Sequence, residues 1–423
     1  MLIEFSVENF KSIRERQTIS MVASNYYKEF LNENTFEVGS EEAFPRLLKT
    51  AVIYGPNASG KSSLVDAMTF MDWMVCFSAN ESQADDEIAV LPFKLSKVSR
   101  EADSEFEISF FEEGIRYQFG FTANSERVTS EWLYAYPSGH QQKWYQRDYD
   151  IETDSYSYVW SKLFQGGRRR TDWRLNTRPN TLFLASAIQL NNEQLKPVFN
   201  WFRRRLATLD PTTLNWNFTV DKFETKKDDI LSFLSHADLC IADIQIDRKK
   251  FDPSQIPDAM PKILKEEFIK TMSGREIAEP KFYLESIDGS GLIEFDDDEI
   301  SAGTKALFNF AGPWLDVISS DRILFVDELD SSLHPLVVHQ LIKILHSKGS
   351  KAQVIFTTHD TSVLGQGILR RDQIWMIEKD RKQSSVLTPL SDYSVREDEA
   401  LEKGYLAGRY GGIPFVKDYS HGE

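Results

Sequence analysis

The sequence predicts an α/β protein in which two distant parts of the chain build one parallel sheet beside a separate antiparallel lobe. Residues 51–77 have the pattern of a strand, a glycine-rich loop and a helix, and strand and helix patterns alternate again over residues 322–377. Such alternation is typical of parallel sheets. Between these segments, residues 90–160 alternate apolar and polar residues with a period of two, which indicates antiparallel strands.

The first half of the chain carries the clearest strand patterns. We expect single strands at residues 2–7, 18–23, 51–54 and 181–185, and a helix over residues 61–77. The segments predicted to form the antiparallel meander are Glu105–Phe111, Ile115–Phe121, Arg127–Tyr134 and Lys143–Tyr149. Turn residues separate these segments, so neighbouring strands are expected to pair as hairpins.

The second half begins with a stretch that looks mainly helical, residues 190–275. It has no sustained heptad repeat, so no long coiled coil is expected. Strand or helix patterns then follow at residues 282–286, 303–318, 322–327, 335–347, 353–358 and 373–377. We therefore divide the chain into an N-terminal half (1–189), a mainly helical insertion (190–280) and a C-terminal half (281–423).

Composition limits the class of protein. Of the 423 residues, 41% are hydrophobic and 27% are charged, so the chain can bury a core. No run approaches the ~20 apolar residues that cross a bilayer, and the acidic start does not resemble a signal peptide, so we expect no membrane association. Cys76 and Cys240 are the only cysteines, which excludes a disulfide framework and favours the cytoplasm. The net charge of −16 argues against general polyanion binding.

A glycine-rich motif predicts a phosphate site. Residues 55–62, Gly-Pro-Asn-Ala-Ser-Gly-Lys-Ser, satisfy G-x-x-x-x-G-K-[ST] in full, in the strand–loop–helix context that this motif requires. Backbone N–H groups of such a loop surround phosphate oxygens, and the helix dipole adds positive potential. The predicted nucleotide-binding residues are Gly55, Asn57, Ala58, Ser59, Gly60, Lys61, Ser62 and Ser63. Lys61 would reach the β- and γ-phosphates of ATP, Ser62 would bind Mg²⁺, and Ser63 could donate to the α-phosphate.

Two further strands end in candidate catalytic groups. The apolar run 323–326 is followed by Asp327 and Glu328. Asp327 is placed to hold Mg²⁺ through water, and Glu328 to orient or deprotonate the attacking water. A second apolar run ends before His359, which could contact the γ-phosphate. The alternative is that these are solvated acids and a surface histidine.

In this order, the motifs resemble those of the ABC-type P-loop ATPases of the SMC, RecF and OLD-like group. The resemblance implies a homodimer, or a higher homo-oligomer, with ATP at the interface. Ser301 and Gly303, in Ser-Ala-Gly-Thr, look like the family's signature loop and would bind the γ-phosphate held by the opposite subunit; taken alone, this run is an ordinary helix cap. The resemblance also implies a Mg²⁺-sensing glutamine after a strand that leads into the inserted lobe, and we select Gln189.

The short insertion, the signature-like loop and the tail over residues 402–414 resemble more narrowly the AAA-type ATP-binding proteins of bacterial anti-phage defence islands. Examples are the RloA and abortive-infection AbiL ATPase subunits. This resemblance implies a sensor that controls a separate effector, such as a nuclease, a Toprim-like protein or a toxin. OLD-type nucleases carry a Toprim domain after the ATPase, whereas 64 residues without an Asp-x-Asp pair follow His359 here.

One segment of this acidic chain is basic. Residues 161–205 contain ten Lys or Arg and two acids, a local charge of +8. Trp160, Trp173 and Trp201 lie in or beside it, so it has the residue types that contact phosphates and unpaired bases. A solvated surface or an acidic protein partner explains the same charges, and residues 285–299 contain seven acids.

Three hypotheses about function remain open at this point. The first is an ATPase that acts as the regulatory subunit of a defence system. The second is a DNA repair or recombination ATPase, which would bind DNA in a salt-sensitive and ATP-stimulated way. The third is a nucleotide-dependent scaffold with negligible turnover.

Overall fold

The computed structural model describes ten stretches of the chain. These are residues 1–39, 46–137, 139–236, 241–251, 253, 261–274, 276–331, 333–347, 349–393 and 400–412. Within them, no helix combines the length and apolarity that a membrane crossing would require. Residues 413 and 414 of the tail named above, and Cys240, lie outside the described stretches.

Strands β1 to β18 follow one another along these stretches. In chain order they are Leu2–Glu8, Gln17–Ser20, Thr35–Phe36, Leu47–Leu48, Thr50–Tyr54, Ser104–Glu112, Ile115–Ala123, Val128–Tyr136, Gln142–Asp150, Ser155–Trp160, Leu206–Leu209, Ile241–Lys250, Glu276–Glu285, Leu292–Phe295, Ile323–Val326, Gln353–Thr358, Ile374–Lys379 and Ser385–Pro389.

Helices α1 to α13 connect them. In chain order they are Leu31–Asn34, Lys61–Cys76, Ser78–Glu81, Lys97–Glu101, Arg169–Leu175, Phe183–Gln189, Lys196–Asn200, Asn217–Ser235, Lys262–Met272, Ala302–Ser319, Pro335–Leu345, Ser362–Gly365 and Leu401–Leu406. A π-helical turn at Trp201–Arg205 continues α7, and short 3₁₀ turns lie at Asp297–Glu299, Arg371–Gln373 and Leu390–Asp392.

The chain forms two compact units. The larger comprises Met1–Asp210, Val317–Ser331 and Leu341–Glu423, and the smaller comprises Pro211–Asp316 and Ser332–Gln340. The larger unit contains a seven-stranded sheet of order β10-β9-β8-β7-β6-β1-β2 and a six-stranded sheet of order β11-β15-β16-β5-β17-β18. The predicted architecture, a split parallel sheet with an antiparallel lobe, is confirmed.

The antiparallel sheet contains the predicted meander together with the two N-terminal strands. β1 pairs with β2 and with β6, so Phe5 stands opposite both Ile19 and Ile108. The alternation of apolar residues places Phe106, Ile108 and Phe110 in the buried core. Because side chains alternate along a strand, one face of this sheet is apolar.

The six-stranded sheet aligns the carboxyl ends of three parallel strands. Thr358 of β16 pairs with Tyr54 of β5, and Val326 of β15 pairs with Phe356 of β16. Since the carboxyl ends of parallel strands meet at one edge, the segments that follow β5, β15 and β16 come together there.

Helix α2 joins the two sheets into one core. Leu64, Met68 and Met71 of this helix are buried in the same apolar cluster as residues from both sheets. Phe5 of β1 and Phe325 of β15 also meet in this cluster, with ring centroids 6.5 Å apart. Burial of each side chain of this size stabilises the fold by roughly 2 kcal/mol. Packing of α2 in this core therefore fixes the start of the helix against the sheet edge.

The smaller unit packs helices on the three-stranded sheet β12-β13-β14. Helices α8 and α10 approach closely at Gly312, where a Cβ would lie 2.6 Å from the Cα of Thr219. The Thr219 hydroxyl donates to the carbonyl of Phe308 and accepts from the N–H of Gly312. These contacts explain why a glycine stands inside the α10 helix.

The strand predicted at residues 181–185 is wrong, because Phe183–Gln189 forms helix α6. The carboxylate of Glu131 is fully buried and accepts hydrogen bonds from the N–H groups of Phe183 and Leu184 at 2.6 and 2.9 Å. A carboxylate at the first turn satisfies N–H groups that a helix leaves unpaired. Periodicity alone cannot distinguish a short apolar strand from a buried helix.

The prediction of a mainly helical stretch over residues 190–275 is only partly right. Helices α7, α8 and α9 lie there, but β11 and β12 do too. β12 pairs along its length with β13, for example Ile244 with Phe282, and this pairing with a distant segment overrides the local pattern. The longest described helix, α8, has 19 residues, so the described chain has no long coiled coil, as expected.

Candidate functional site

The phosphate-loop motif forms a tight turn between β5 and α2. Gly60 has a φ of 111°, and a Cβ on this residue would lie 2.1 Å from the Ser385 hydroxyl oxygen. A Cβ on Gly55 would lie 2.3 Å from the carbonyl oxygen of Ile377. Both positions therefore require glycine. Gly60 requires it for its backbone angle and for close packing, and Gly55 requires it for close packing alone.

Lys61 folds back over its own loop. Its ammonium group donates to the carbonyl oxygens of Gly55 at 2.8 Å and Pro56 at 3.1 Å. Burial lowers the pKa of Lys61, while the charges of Glu328 and Asp327 act to raise it. The lysine is thus held over the loop, close enough to both carboxylates to interact with their charges.

Thr357 fixes the geometry of the two acids that follow β15. Its hydroxyl donates to the Asp327 carboxylate at 2.7 Å and accepts from the N–H of Glu328 at 2.7 Å. Glu328 has a φ of 53°, a left-handed conformation that is uncommon outside glycine. Because of this bend, Asp327 remains hydrogen-bonded to Thr357, while Glu328 projects from the sheet edge and is exposed.

His359 follows β16 and faces Glu328. Its Nε2 atom lies 3.6 Å from a Glu328 carboxylate oxygen. Its backbone N–H donates to Asp330 at 3.3 Å, which holds the turn after the strand. Both side chains are part-exposed, so they are available to a ligand at the sheet edge.

These segments surround one cleft of about 400 Å³. The residues that line it are Ser12, Asn57, Ala58, Gly60, Lys61, Ser62, Ser63, Glu328 and His359. Gly55 and Ser59 are buried and do not line this cleft, and Asp327 stands next to Glu328 along the chain. One side of the cleft therefore supplies a helix N-terminus and Lys61, and the other supplies the Glu328 carboxylate. This charge distribution suits an anion together with a cation.

The residues also fit a magnesium nucleotide. The loop that requires glycine at positions 55 and 60 is a backbone cradle of the kind that approaches phosphate closely. The Ser62 hydroxyl and the Asp327 carboxylate are hard oxygen donors, which Mg²⁺ prefers. Neither the cleft nor any other part of the described chain contains a cluster of three or more acidic, histidine or cysteine side chains suited to a metal.

The structure does not bring Gln189 to this cleft. Gln189 ends helix α6, and its side chain donates to the Asn80 side chain. Our selection of Gln189 required a strand before it, and that premise is wrong. Among the contacts that the described residues make, none joins Gln189 to the phosphate loop.

Ser301 and Gly303 lie in the smaller unit, at the start of α10. The Ser301 hydroxyl accepts from the N–H of Thr304 at 3.1 Å and lies 2.8 Å from its hydroxyl. This is the geometry of a helix cap. Ser301 and Gly303 are exposed, so they are accessible for a ligand as well as serving the cap.

The aromatic residues of the basic segment do not form a stacking surface for bases. Trp173 and Trp201 are buried in the core of the larger unit, and Trp160 stacks on Phe164 with ring centroids 5.4 Å apart. The Arg178 guanidinium donates to the carbonyl oxygens of residues 78 and 79. The arginines at 168, 169, 203 and 204 remain exposed, so the segment offers charge but not the expected aromatic platform.

Sequence reasoning missed several residues that build the site. Thr357 orients both acids, and Ser12 lines the cleft from the turn between β1 and β2. In the tail, Tyr405 donates to the Gly412 carbonyl at 2.6 Å, and a Cβ on Gly412 would lie 3.8 Å from the Gly55 Cα. The only sequence signal was the tail over residues 402–414, and its pattern does not identify the phosphate loop as its partner.

A second cavity of about 550 Å³ adjoins the other side of the phosphate loop. The loop residues Pro56 and Asn57 contribute to its wall, together with His359, Lys379 and Tyr405. The hydroxyl of Thr361 donates to Glu402 at 3.2 Å, so the turn after His359 also contacts the tail. The tail is therefore part of the surroundings of the candidate site.

Comparison with known proteins connects this geometry to a family. Residues 51–365, which span the phosphate loop, both acids and His359, match the model of a family described as "AAA domain, putative AbiEii toxin, Type IV TA system". No curated protein matches the chain.

Two solved structures are similar over most of their length. The SMC head domain from Thermotoga maritima is 15% identical, with a TM-score of 0.42, covering 92% of this chain and 98% of that one. An SMC head bound to the C-terminal winged-helix domain of ScpA is also 15% identical, with a TM-score of 0.43, covering 92% and 99%.

Proposed function

The chain belongs to this family of AAA domains, and we propose on that basis that it binds ATP with Mg²⁺ and hydrolyses it to ADP and phosphate. The observation that carries the proposal is the cleft of about 400 Å³ that Lys61, Glu328 and His359 line together. These residues come from three segments that are far apart in sequence. Their convergence supports one reaction site rather than three unrelated strand ends.

We assign the residues of the cleft as follows. The loop N–H groups and Lys61 bind the phosphates, and Ser62 and Asp327 hold Mg²⁺, which when bound neutralises phosphate charge. Glu328 orients the attacking water and accepts its proton. His359 contacts the γ-phosphate or the water from the neighbouring strand end.

We also propose that hydrolysis occurs in a homodimer. Ser301 and Gly303 would complete the site of the opposite subunit, since an exposed capped helix start is suited to an anion. ATP would then favour the closed dimer and hydrolysis would release it. A Ser301→Ala variant that still dimerises with ATP, and hydrolyses it at the normal rate, would argue against this role.

The biological role that we propose is regulation of a separate effector in an anti-phage defence system. The description of the family, which names a putative toxin of a toxin–antitoxin system, supports this proposal. The effector would be a nuclease, a Toprim-like protein or a toxin, and the exposed arginines of residues 161–205 could contact nucleic acid or an acidic partner. Plaque assays on cells that carry the gene with its neighbours test the role: Lys61→Ala should abolish protection, and unchanged protection would contradict it.

ATP binding and phosphate release by the purified protein test the biochemical proposal. Wild-type protein should bind ATP in equilibrium dialysis and release phosphate with Mg²⁺, and Lys61→Ala should lose both activities. Lys382→Ala, in the exposed turn between β17 and β18, is the control and should behave as wild type. Binding without phosphate release would favour a scaffold, and release that is independent of Lys61 would contradict the assignment. Salt-sensitive, ATP-stimulated DNA binding in a gel-shift series would favour the repair alternative.

A further inference from the structure

Hydroxyl groups connect the phosphate loop to two other parts of the larger unit. The Ser385 hydroxyl on β18 donates to the Ser59 carbonyl at 2.6 Å and accepts from the Lys379 ammonium at 3.0 Å. The Ser12 hydroxyl lies 2.8 Å from Ser385 and 2.8 Å from Ser63. We call Lys379, Ser385, Ser12 and Ser63 the serine relay.

The proton directions within the relay follow from the number of donors. A serine hydroxyl has one proton and two acceptor positions. Ser385 gives its proton to a carbonyl, which cannot donate, so it accepts from both Lys379 and Ser12. Ser12 therefore donates its one proton to Ser385, and Ser63 must donate to Ser12. In this arrangement the Ser63 proton is donated to Ser12 and is not available to the α-phosphate that we had expected it to contact.

The relay also packs directly against the bend of the loop. A Cβ on Gly60 would lie 2.1 Å from the Ser385 oxygen and 2.5 Å from the Ser12 oxygen. The N–H of Ser385 donates to the Ser12 carbonyl at 2.8 Å, so the two serines are held together through their backbone too. Ser385 is fully buried, which makes these hydrogen bonds costly to break.

The Ser59 carbonyl determines how the loop presents its next N–H group. In a planar trans peptide the C=O and the following N–H point in opposite directions. With the Ser59 carbonyl held by Ser385, the N–H of Gly60 points away from the relay. Gly60 lines the cleft, and an N–H held in a fixed direction binds a phosphate oxygen without first paying the entropy of ordering the loop.

Building on the proposed ATP binding, we propose that Ser385 is a positioning residue for nucleotide binding. Lys379 and Ser12 hold Ser385, and Ser385 holds the Ser59–Gly60 peptide in the conformation that accepts phosphate. Ser385 acts on the bound nucleotide only through the loop. Ser12, Lys379 and Ser385 come from the two ends of the chain, so the nucleotide site depends on β1–β2 and β17–β18 as well as on the motif itself.

ATP affinity and stability of Ser385→Ala, measured together, test the proposal. We expect the Kd for ATP to rise about tenfold, the equivalent of one buried hydrogen bond, with kcat at saturating ATP within about twofold. We expect the thermal midpoint of the nucleotide-free variant to fall by no more than about 2 °C, because the loss of one hydrogen bond is small beside the unfolding entropy of a chain of this size. An unchanged Kd for ATP would overturn the proposal, whether or not the variant loses stability.

Lys379→Met provides a second test from the other end of the relay, in case Ser385→Ala folds poorly. It should raise the Kd for ATP several-fold, whereas Lys382→Met in the same hairpin should not. In a double-mutant cycle, the effects of Ser12→Ala and Ser63→Ala on the Kd for ATP should be coupled, because the two residues act in series. Additive effects on the Kd would contradict the relay. Wild-type protein that fails to bind ATP would refute the proposed function, whereas normal wild-type binding with unaffected relay variants refutes the relay alone.

Discussion

His359 and Glu328, which lie at the ends of adjacent parallel strands, face each other with 3.6 Å between Nε2 and the nearest carboxylate oxygen. This separation is longer than a hydrogen bond, so neither side chain is committed to the other. The side chains are 38% and 48% exposed. Each is therefore free to contact a ligand that enters between Lys61 and the strand ends.

His359→Ala should slow ATP hydrolysis by about 100-fold, a typical loss for removal of a group that assists proton transfer or orients water. ATP affinity should change by less than about threefold, because the loop and Lys61 provide most of the phosphate contacts. Phosphate release and equilibrium dialysis measure the two quantities. His236→Ala, on an exposed helix end of the smaller unit, is the control. Equal losses in affinity and turnover would show that His359 mainly binds the nucleotide.

Thr357→Val should raise the Mg²⁺ concentration that hydrolysis requires. Valine has a similar shape but no hydroxyl, so the Asp327 carboxylate loses its donor and the part-buried N–H of Glu328 loses its acceptor. Such losses cost about 1–3 kcal/mol each, and we expect an increase of at least about tenfold in half-saturating Mg²⁺. A titration of phosphate release against Mg²⁺ measures this. Thr122→Val, on the antiparallel sheet, should leave the curve unchanged, and an identical curve for Thr357→Val would contradict the role of Thr357.

Local sequence patterns predicted the strands of the meander, the phosphate loop and the strand ends that carry Asp327, Glu328 and His359. Each of these depends on a few consecutive residues, so periodicity and motif spacing are sufficient. The relay between Ser12 and Ser385 and the contact of Gly412 with Gly55 join residues more than 300 positions apart, and no local pattern records them. Helix α6 was missed for a related reason, because the group that caps it, Glu131, lies about 50 residues earlier.

A buried histidine gives stability a defined dependence on pH. His346 is buried next to Thr50, with 2.8 Å between its Nε2 and the threonine hydroxyl. Burial, with a smaller contribution from the charge of Lys49, lowers its pKa to about 3. The unfolded chain has a histidine pKa of about 6.5, so between these values the unfolded state binds the additional proton. Stability is therefore lost as the pH falls below about 6.5.

Acidification from pH 7.5 to 5 should lower the free energy of unfolding by about 2 kcal/mol through His346 alone. His346→Gln keeps a hydrogen-bonding group near Thr50 but cannot titrate, so its stability should fall less over the same range. Urea unfolding at a series of pH values measures both proteins. Parallel curves for wild type and His346→Gln would contradict the buried neutral state of His346.

The most direct test of the ATPase assignment is Glu328→Gln. This change keeps the size of the side chain and removes its ability to accept a proton. If Glu328 activates water in the cleft that Lys61 and His359 share, the variant should bind ATP with wild-type affinity while phosphate release falls by at least about 100-fold. ATP should also hold the variant in the dimer, as measured by light scattering. Normal turnover by Glu328→Gln would contradict the account.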